Sequence, residues 1–591
     1  MERKTYEFIA QQTNPAKDGA GDPIVEWRTC KVSGQEFPIY QSDLEFYDKI
    51  SPIFNGVKYA IPVPTLCPEE REKRRLVRKN ERKFYRRKCD ATGENIISLY
   101  APDSVTGSPY VVYSPKVRWS DIRDPMTYGK IFDFTASFNQ QFSDLLHQVP
   151  LAAIYTKNSE NCEYNNIIND SKNCYLCVST GYAENTFYTT IAAWLNNCYD
   201  WYRLIRSENC YEAIDSDYCY ECFYVQKCVH CNNCRYMKNC TQCKNCWMCT
   251  NINGAEYMVL NAQYTKEEYD RIINELQNDK IKFQEYYQKF QKLQNEQPVS
   301  NTNISAENCI GGFITNSKNC SLCFDTIEST WCKYCSGIGL KVNDCYDCWG
   351  GDIFENQLCY ESSLIPINHH TLFSYNCRNG HDLYYCFDCY DSSDCLWCIS
   401  LRNKQYCILN KQYTKEEYEK ELSKIIAYMT ETGERWEYFS PAISPFWYNE
   451  TVAQTLFPSE KKDVVAGWYH RQDTNYDAVV SQGINVLQWK DLPDTISTIQ
   501  DDILEKIIIC ETSGRPFRIT KTELDFYRKY NLALPHKHPD VRHQERINKR
   551  QPRQLYIRNC DHCWVEMLSV YDKNYPGKVY CEACYNKEIY W

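Results

Sequence analysis

Small, polar and aromatic residues recur along the central part of this chain with a period of twelve residues. An asparagine or glutamate stands before each cysteine of the main series, and an aromatic residue often follows it. The series consists of Cys162, Cys174, Cys198, Cys210, Cys222, Cys234 and Cys246. A fixed short period is typical of a solenoid, in which each repeat forms one coil that stacks on the next. Twelve extended residues are enough for one flattened coil of two short strands and two turns.

Cysteine and asparagine suit different places in such a coil. Cysteine is small, apolar and commonly buried, so a cysteine column predicts a narrow interior. Asparagine tolerates left-handed backbone angles and can hydrogen-bond to a stacked amide, so it is expected at a corner. A helical alternative is disfavoured, because twelve is a poor multiple of 3.6 and asparagine is a weak helix former.

The Cys-rich region is duplicated, and each copy precedes a predicted helix. The two blocks span 151–260 and 307–412, and the second is less regular, with a loop expected around 362–375. Thr265 and Thr414 stand three residues before glutamates, which is the pattern of a capping box. We therefore expect a helical cap and linker at 261–306, and a helical cap with an extended connector at 413–503.

The two chain ends are related to each other, and one carries a full zinc motif. Cys560-x2-Cys563 and Cys581-x2-Cys584 are separated by 17 residues, the spacing of a four-cysteine zinc ribbon or treble clef. This predicts a zinc module at 504–591. The related segment 24–150 is expected to be a degenerate zinc-ribbon-like module with a basic helix. Cys510 and His538 supply only two further ligands, so we favour leftover packing residues over a second site.

Together these patterns predict a fold that is mainly β with helical caps. Two Cys-lined β-solenoid blocks with coils of about twelve residues are flanked by modules that resemble zinc ribbons or treble clefs.

Composition and the polar start of the chain limit the class of protein and the cellular compartment that we expect. The 591 residues include 36 cysteines and carry a net charge of −10, so the molecule as a whole is not a nucleic-acid-coating protein. We find no signal peptide and no apolar run of 18 residues, which predicts a cytoplasmic protein with no membrane segment. In a reducing compartment, cysteines are more often buried thiols or metal ligands than disulfides.

Four interpretations of the central cysteines stay open: buried thiols, zinc ligands, iron–sulfur ligands and disulfides. The strongest candidate ligands lie on neighbouring predicted coils: Cys219, Cys222, Cys231, Cys234, Cys243 and Cys246. Other CxxC candidates are Cys174, Cys177, Cys320, Cys323, Cys332, Cys335, Cys386, Cys389, Cys395 and Cys398. Quartets drawn from two coils would bring sulfur atoms to the separation of roughly 3.8 Å that zinc requires. The cofactors considered are therefore zinc and, as the alternative, an iron–sulfur cluster.

Two strongly basic segments lead into the terminal modules. Segment 71–88 holds eleven basic and two acidic residues, and segment 542–558 holds six basic residues and one acidic residue. The candidate phosphate contacts are Arg71, Arg74, Arg75, Arg78, Arg82, Arg86, Arg546, Lys549 and Arg550. A basic helix beside a zinc module is suited to nucleic acid or a ribosomal surface. The alternative is a helix packed against the acidic bulk of the protein.

Several longer motifs resemble those of a known family. They are CxxSGxxF at 30–37, LEFYxK at 44–49, SPFWYNETVAQTLFP at 444–458, NKQYTKEEYEK at 410–420 and KVYCEACYNKEIY at 578–590. With these motifs the chain resembles a family of Cys-rich, zinc-ribbon-flanked proteins from uncultivated, small-genome bacteria of the candidate phyla. The resemblance covers nearly the whole chain. It implies a cytoplasmic bacterial protein flanked by zinc ribbons and brings no activity with it.

The motifs of common enzymes are missing. We find no HExxH sequence, no nucleophile triad context and no Gly-rich phosphate loop. The favoured function is a non-enzymatic, zinc-binding structural or assembly protein with surfaces for self-association as a homo-oligomer or for a macromolecular partner. The alternatives are a nucleic-acid- or ribosome-binding protein, and a storage or redox protein for several zinc or iron–sulfur centres.

Overall fold

The computed structural model describes residues 1–12, 21–102, 110–120, 123–350, 354–434, 436–473, 485–493 and 495–590. The chain is mainly β with additional helices, as the sequence predicts. It forms two compact units, each assembled from distant segments. The first unit contains Met1–Tyr155, Pro298–Arg471 and Gln551–Lys587. The second contains Thr156–Gln297, Gln472–Arg550 and Glu588–Trp591.

The first Cys-rich block lies in the second unit and forms an 11-stranded sheet. Its strands follow one another in sequence order, and Thr190 pairs with Tyr202 as Tyr202 pairs with Ile214. The twelve-residue period of the sequence is therefore the distance along the chain between paired residues of neighbouring parallel strands. The last two strands of the sheet pair in antiparallel orientation. The strands are Thr156–Lys157, Asn166–Asn169, Val178–Glu184, Phe187–Asn196, Tyr199–Glu208, Tyr211–Asp217, Phe223–Val229, Arg235–Thr241, Lys244–Trp247, Glu256–Val259 and Ala262–Gln263.

A second, shorter period governs the backbone of this block. From Ile167 to Asn251 every third residue has a left-handed conformation, with φ between 48° and 61°. Four such triplets make up one twelve-residue step. Left-handed angles cost most residues about 1–2 kcal/mol, but asparagine bears them more easily. The asparagines that precede the cysteines have the left-handed angles that the sequence predicts. The side-chain amide of Asn161 donates to Asn173 at 3.0 Å, and that of Asn173 donates to Asn185 at 3.1 Å.

The interior of the first block is lined by the residues that follow the left-handed positions. All 14 cysteines of this block, and all 14 of the other, directly follow a residue with positive φ. In the first block they form one buried cluster with larger side chains such as Trp201, Leu204 and Met237. Their thiols lie close to backbone carbonyl groups; Sγ of Cys231 is 3.6 Å from the oxygens of both Val229 and Cys240.

The second Cys-rich block lies in the first unit and repeats this arrangement less regularly. Register steps of 13 and 14 residues occur where Ser329 pairs with Val342 and Tyr346 with Tyr360. The loop predicted around 362–375 is wrong, because Ser363 pairs with Tyr375 at the ordinary step of twelve. The strands are Ile310–Thr315, Ser321–Ile327, Ser329–Thr330, Val342–Asn343, Tyr346–Trp349, Tyr360–Ser363, Asn368–Leu372, Gly380–Tyr384, Ser393–Leu396, Gln405–Ile408 and Lys411–Gln412.

A helix with a capping box follows each block, as predicted. After the first block, helix Lys266–Asn278 buries Tyr269, Ile272 and Leu276 in a cluster with Trp247 of the sheet. Further helices of the second unit are Lys280–Glu296, Lys521–Lys529 and Pro539–Asn548. The helices that lie or begin in the first unit are Arg3–Gln12, Gln41–Lys49, Pro68–Leu76, Pro115–Arg118, Phe138–Gln148, Lys415–Thr432, Val452–Leu456, Lys461–Ala466 and Glu582–Tyr590.

Short sheets complete both units. In the first unit the strand pairs are Ile24–Thr29 with Glu36–Tyr40, Ile53–Phe54 with Val57–Lys58, Tyr85–Lys88 with Asn95–Ser98, Val112–Tyr113 with Leu151–Ala152, and Tyr556–Asn559 with Glu566–Ser569. In the second unit Val486–Gln488, Ile507–Ile509 and Pro516–Phe517 form one sheet. Across the described residues, none of the helices has the length and apolar character needed to cross a membrane.

Candidate metal centre

Four turns near the chain ends share one backbone geometry, and each begins with a cysteine. The N–H of the cysteine donates to the carbonyl five residues later, and the N–H four residues later donates back to the cysteine carbonyl. The first bond measures 2.9, 2.8, 3.0 and 2.9 Å in the turns that begin at Cys30, Cys89, Cys510 and Cys560. Each turn joins two antiparallel strands. The four segments are therefore variants of one local structure.

Each turn has a second component, the residue that precedes one of the helices beginning at Pro68, Pro115, Pro539 and Glu582. These residues are Cys67, Ser114, His538 and Cys581. The N–H groups of Ser114, His538 and Cys581 donate to the sulfur of Cys89, Cys510 and Cys560 at 3.3, 3.1 and 3.2 Å. Cys30 and Cys67 interact through their thiols. The sequence predicts one zinc-ribbon-like module at each chain end. The structure instead has two modules at each end, and each consists of a turn and a helix.

Only the last of these modules assembles four ligands. The sulfur atoms of Cys560, Cys563, Cys581 and Cys584 all lie within 4.8 Å of one another, and those of Cys563 and Cys581 are 3.8 Å apart. Tetrahedral zinc with Zn–S bonds of about 2.3 Å requires sulfur separations of roughly 3.8 Å. No other group of three or more candidate ligands with this proximity occurs among the described residues. The predicted cysteines are thus compatible with a bound metal ion.

Backbone donors favour the ionised form of one ligand. Burial opposes ionisation of Cys560, but N–H groups of Cys563, Cys581 and His562 lower the pKa of its thiol to about 6. The second pair of cysteines lies at the start of helix Glu582–Tyr590, where the helix dipole stabilises negative charge. Nδ1 of His562 lies 3.5 Å from Sγ of Cys584 and can support this ligand. Without a metal, burial and the neighbouring sulfur atoms raise the pKa of Cys581 and of Cys584. A metal ion would therefore have to displace protons from these two thiols.

In the other three turns a hydroxyl residue replaces the second cysteine of the motif. Ser33, Thr92 and Ser513 stand at the position of Cys563, and each hydroxyl accepts a 3.4 Å bond from the backbone N–H two residues later. The turn is therefore retained without the ligand. Cys510 and His538 lie together, as the sequence comparison paired them, but Nδ1 of His538 accepts the N–H of Asp540 at 3.1 Å.

The turn that begins at Cys560 differs from the others in one strained position. Trp564 has φ of 62° where the other turns have Gly34, Gly93 and Gly514, and its side chain is 74% exposed. We expect Trp564→Gly to raise the free energy of unfolding by about 0.5–1 kcal/mol, because glycine relieves the left-handed strain. Denaturant titration of the metal-loaded protein measures this, with metal content unchanged.

The reciprocal change provides the control for this prediction. Gly514 has φ of +67°, and a Cβ placed there meets no atom within 4 Å, so Gly514→Trp tests strain without a clash. It should lower stability by about 1–2 kcal/mol. A loss of stability in Trp564→Gly would show that ring contacts outweigh the strain.

The predicted CxxC ligands of the central blocks do not gather in the same way. Their three-residue spacing equals the spacing of the left-handed positions, so two cysteines of one motif line adjacent interior columns. All of these cysteines are buried, and none of them forms a disulfide. The candidate ligands concerned are Cys174, Cys177, Cys219, Cys222, Cys231, Cys234, Cys243, Cys246, Cys320, Cys323, Cys332, Cys335, Cys386, Cys389, Cys395 and Cys398.

Most of the predicted phosphate-binding arginines are buried against carboxylates. In the first unit Arg71 contacts Asp347 at 2.9 Å and Arg74 contacts Glu361 at 3.0 Å, while Arg75 reaches both acids. Arg78 has no such acid among the residues that the structure describes, and it donates to the Ser440 carbonyl. Arg82 is half-buried and Arg86 is exposed.

The second unit shows the same arrangement. Arg546 contacts Asp200 at 2.9 Å and Glu212 at 3.0 Å, and Arg550 contacts Asp215 at 3.0 Å. Lys549 is exposed. The acids in both units occupy left-handed positions of the Cys-rich blocks. These arginines therefore belong to basic helices that pack on an acidic surface, which was the alternative to phosphate binding. To bind phosphate, they would first have to break their contacts with the carboxylates.

Comparison with known proteins adds little to this description. No protein-family model matches the sequence, and no curated protein matches it. Among solved structures the chain is similar to a "putative acetyltransferase" from Desulfovibrio desulfuricans G20, at 7% identity and a TM-score of 0.10. The similarity covers 42% of this chain and 63% of that chain. A TM-score this low supports no conclusion about fold or function.

Proposed function

We propose that this protein is a non-enzymatic structural protein that binds one zinc ion in its last treble-clef-like module. The proposal rests chiefly on the four sulfur atoms of Cys560, Cys563, Cys581 and Cys584, which lie within 4.8 Å of one another. Two ligands come from a hairpin turn and two from a helix start, so the site is closed by protein ligands. Closed four-cysteine sites are typical of structural rather than catalytic zinc.

We further propose that the two Cys-rich blocks are β-solenoids with coils of twelve residues. The parallel register of twelve, the four left-handed positions per step and the buried cysteine columns support this interpretation. Stacked strands lie about 4.8 Å apart, so each coil would lengthen the block by that amount. The cysteines then serve as small interior residues whose thiols bond to carbonyl groups.

In this proposal the turn-and-helix modules that carry buried arginines fix the solenoid blocks in position. Arg71 and Arg75 in the first unit, and Arg542 and Arg546 in the second, project from the helices of such modules onto acidic corners. Buried ion pairs of this kind fix geometry more than they add stability. A scaffold with many reduced thiols suits the cytoplasm, which we propose as its location.

Metal content together with thiol reactivity tests this function. Protein purified without chelator should contain about one zinc per chain, as expected for one closed site. Before chelation, half-buried Cys309 should be the most accessible thiol outside the metal site. It should react slowly, because the contact with Cys320 and burial raise the pKa of its thiol. Chelation should add Cys563, Cys581 and Cys584, whereas the buried central cysteines should react only on unfolding. Several metal ions per chain, or iron with visible absorbance, would instead support the storage or redox alternative.

A further inference from the structure

Two exposed histidines of the second Cys-rich block occupy paired positions on adjacent strands. His369 lies on strand Asn368–Leu372 and His381 lies on strand Gly380–Tyr384, and the two residues pair directly in the parallel register. Neighbouring strands lie about 4.8 Å apart, and directly paired residues of a parallel ladder face the same side. The two imidazole side chains therefore start close together on one exposed face of the block.

A carboxylate holds the ring of His381 in one orientation. Nδ1 of His381 lies 3.1 Å from Oδ2 of Asp382, so this nitrogen donates and Nε2 keeps its lone pair. Burial opposes ionisation of Asp382, but hydrogen bonds from His370 and His381 hold its pKa below the ordinary value. A carboxylate behind one ring nitrogen is the usual second partner of a histidine that binds metal through the other.

The neighbouring His370 cannot serve as a ligand in this arrangement. Its Nδ1 lies 2.7 Å from Oδ1 of Asp382, and its Nε2 lies 2.8 Å from the carbonyl oxygen of Ile50. Because both nitrogens face acceptors, the ring donates at both and has no lone pair for a metal. Burial opposes the protonated ring, but these two contacts raise the pKa of His370. His370 is therefore the cation that balances the charge of Asp382.

The ring of His369 has a lone pair available. Burial lowers the pKa of His369, and the charge of Asp382 only partly offsets this effect, so the ring is neutral at neutral pH. Within the part of the chain that the structure describes, neither ring nitrogen of His369 has a hydrogen-bond partner, and the same holds for Nε2 of His381. Two neutral imidazole nitrogens are thus accessible on one face.

We propose that His369 and His381 together bind one exchangeable divalent ion of the imidazole-binding metals, such as Zn²⁺ or Ni²⁺. Imidazole is a preferred ligand of these ions. Two imidazoles on adjacent strands bind more tightly than one, because the second acts at a high effective concentration. Two protein ligands leave the other coordination positions to water, so the ion should be lost on dialysis, unlike zinc in a closed four-cysteine site. The site does not depend on the proposed function.

Isothermal titration of the dialysed full chain with Ni²⁺ tests the site. The parent should bind about one Ni²⁺ per chain through these two residues. His369→Gln and His381→Gln should each weaken this binding about tenfold or more, because each leaves a single imidazole. His470 provides the control, since it is exposed but its Nε2 contacts the carbonyl of Ala442 at 2.8 Å. His470→Gln should bind Ni²⁺ as the parent does.

A gain of affinity provides a second measurement. Gln357 is exposed and pairs with His369 on the side opposite His381. Gln357→His adds a third imidazole at the paired position of the next strand and should tighten Ni²⁺ binding about tenfold. All the replaced side chains are exposed, so the metal-free variants should unfold at the parental Tm. Absent Ni²⁺ binding in the parent, or parental affinity in His369→Gln or His381→Gln, would overturn the proposal.

Discussion

Replacement of Asp200 by asparagine should destabilise the second unit by about 3–5 kcal/mol, as expected when one partner of a buried ion pair is lost. Asp200 is fully buried and contacts both Arg542 and Arg546, of which Arg546 is also fully buried. Asparagine keeps the size of the side chain and tolerates the left-handed backbone, where φ is 61°. The change therefore removes charge and leaves shape and backbone intact, so that two guanidinium groups lose their main counter-ion.

An exposed ion pair of the same block serves as the control. Glu160 and Lys172 lie 3.3 Å apart on adjacent steps, but their side chains are 67% and 50% exposed. Glu160→Gln should cost less than about 1 kcal/mol, since solvent screens this pair. Denaturant titration followed by tryptophan fluorescence measures both variants. Equal, small effects would show that the buried arginines do not depend on Asp200.

Loss of one zinc ligand should have the second large effect. Cys581→Ser is expected to lower zinc from about one per chain to a trace, because structural zinc needs its full set of thiolates. The hairpin of Tyr556–Asn559 and Glu566–Ser569 should then open, since zinc supplies much of the folding energy of such modules. Metal analysis and limited proteolysis near this hairpin provide the two measurements.

The related turn without metal offers a matched control. Cys510 has the same backbone bonds as Cys560 and accepts the N–H of His538 at 3.1 Å. Cys510→Ser keeps an acceptor at this position, so zinc content and cleavage near 556–569 should stay at the parental level. If Cys581→Ser retained its zinc, the four-cysteine assignment would be wrong. If Cys510→Ser lost zinc, the metal would depend on a residue outside the proposed site.

The sequence predicts those features that depend on local spacing. The twelve-residue period predicts the parallel register, and threonine three residues before glutamate predicts the two helix starts. The four cysteines of the last module are found because each pair lies in one short segment. The other three turns also had a local signal, since CKVSG, CDATG and CETSG recur at Cys30, Cys89 and Cys510.

Features that depend on distant partners were less predictable. The basic segments suggested phosphate contacts, but Arg71 meets Asp347 across 276 positions and Arg546 meets Asp200 across 346. No local pattern reveals such a partner. The CxxC motifs of the central blocks were ambiguous for another reason. A metal-binding turn and a three-residue backbone period both place cysteines three apart, and only the φ angles distinguish the two origins.

The three-residue period has a consequence for how such a chain tolerates changes in length. One extra residue can be accommodated as a local irregularity, as the steps of 13 and 14 in the second block illustrate. Three extra residues would leave every buried position buried, yet they would rotate all later residues by a quarter of a proposed coil. Acids such as Asp200 and Glu212, separated by twelve, would then lie on different sides if the insertion fell between them. Insertions of twelve lengthen the block without disturbing the alignment of its faces, so duplication in whole coils is the natural route by which this protein can grow.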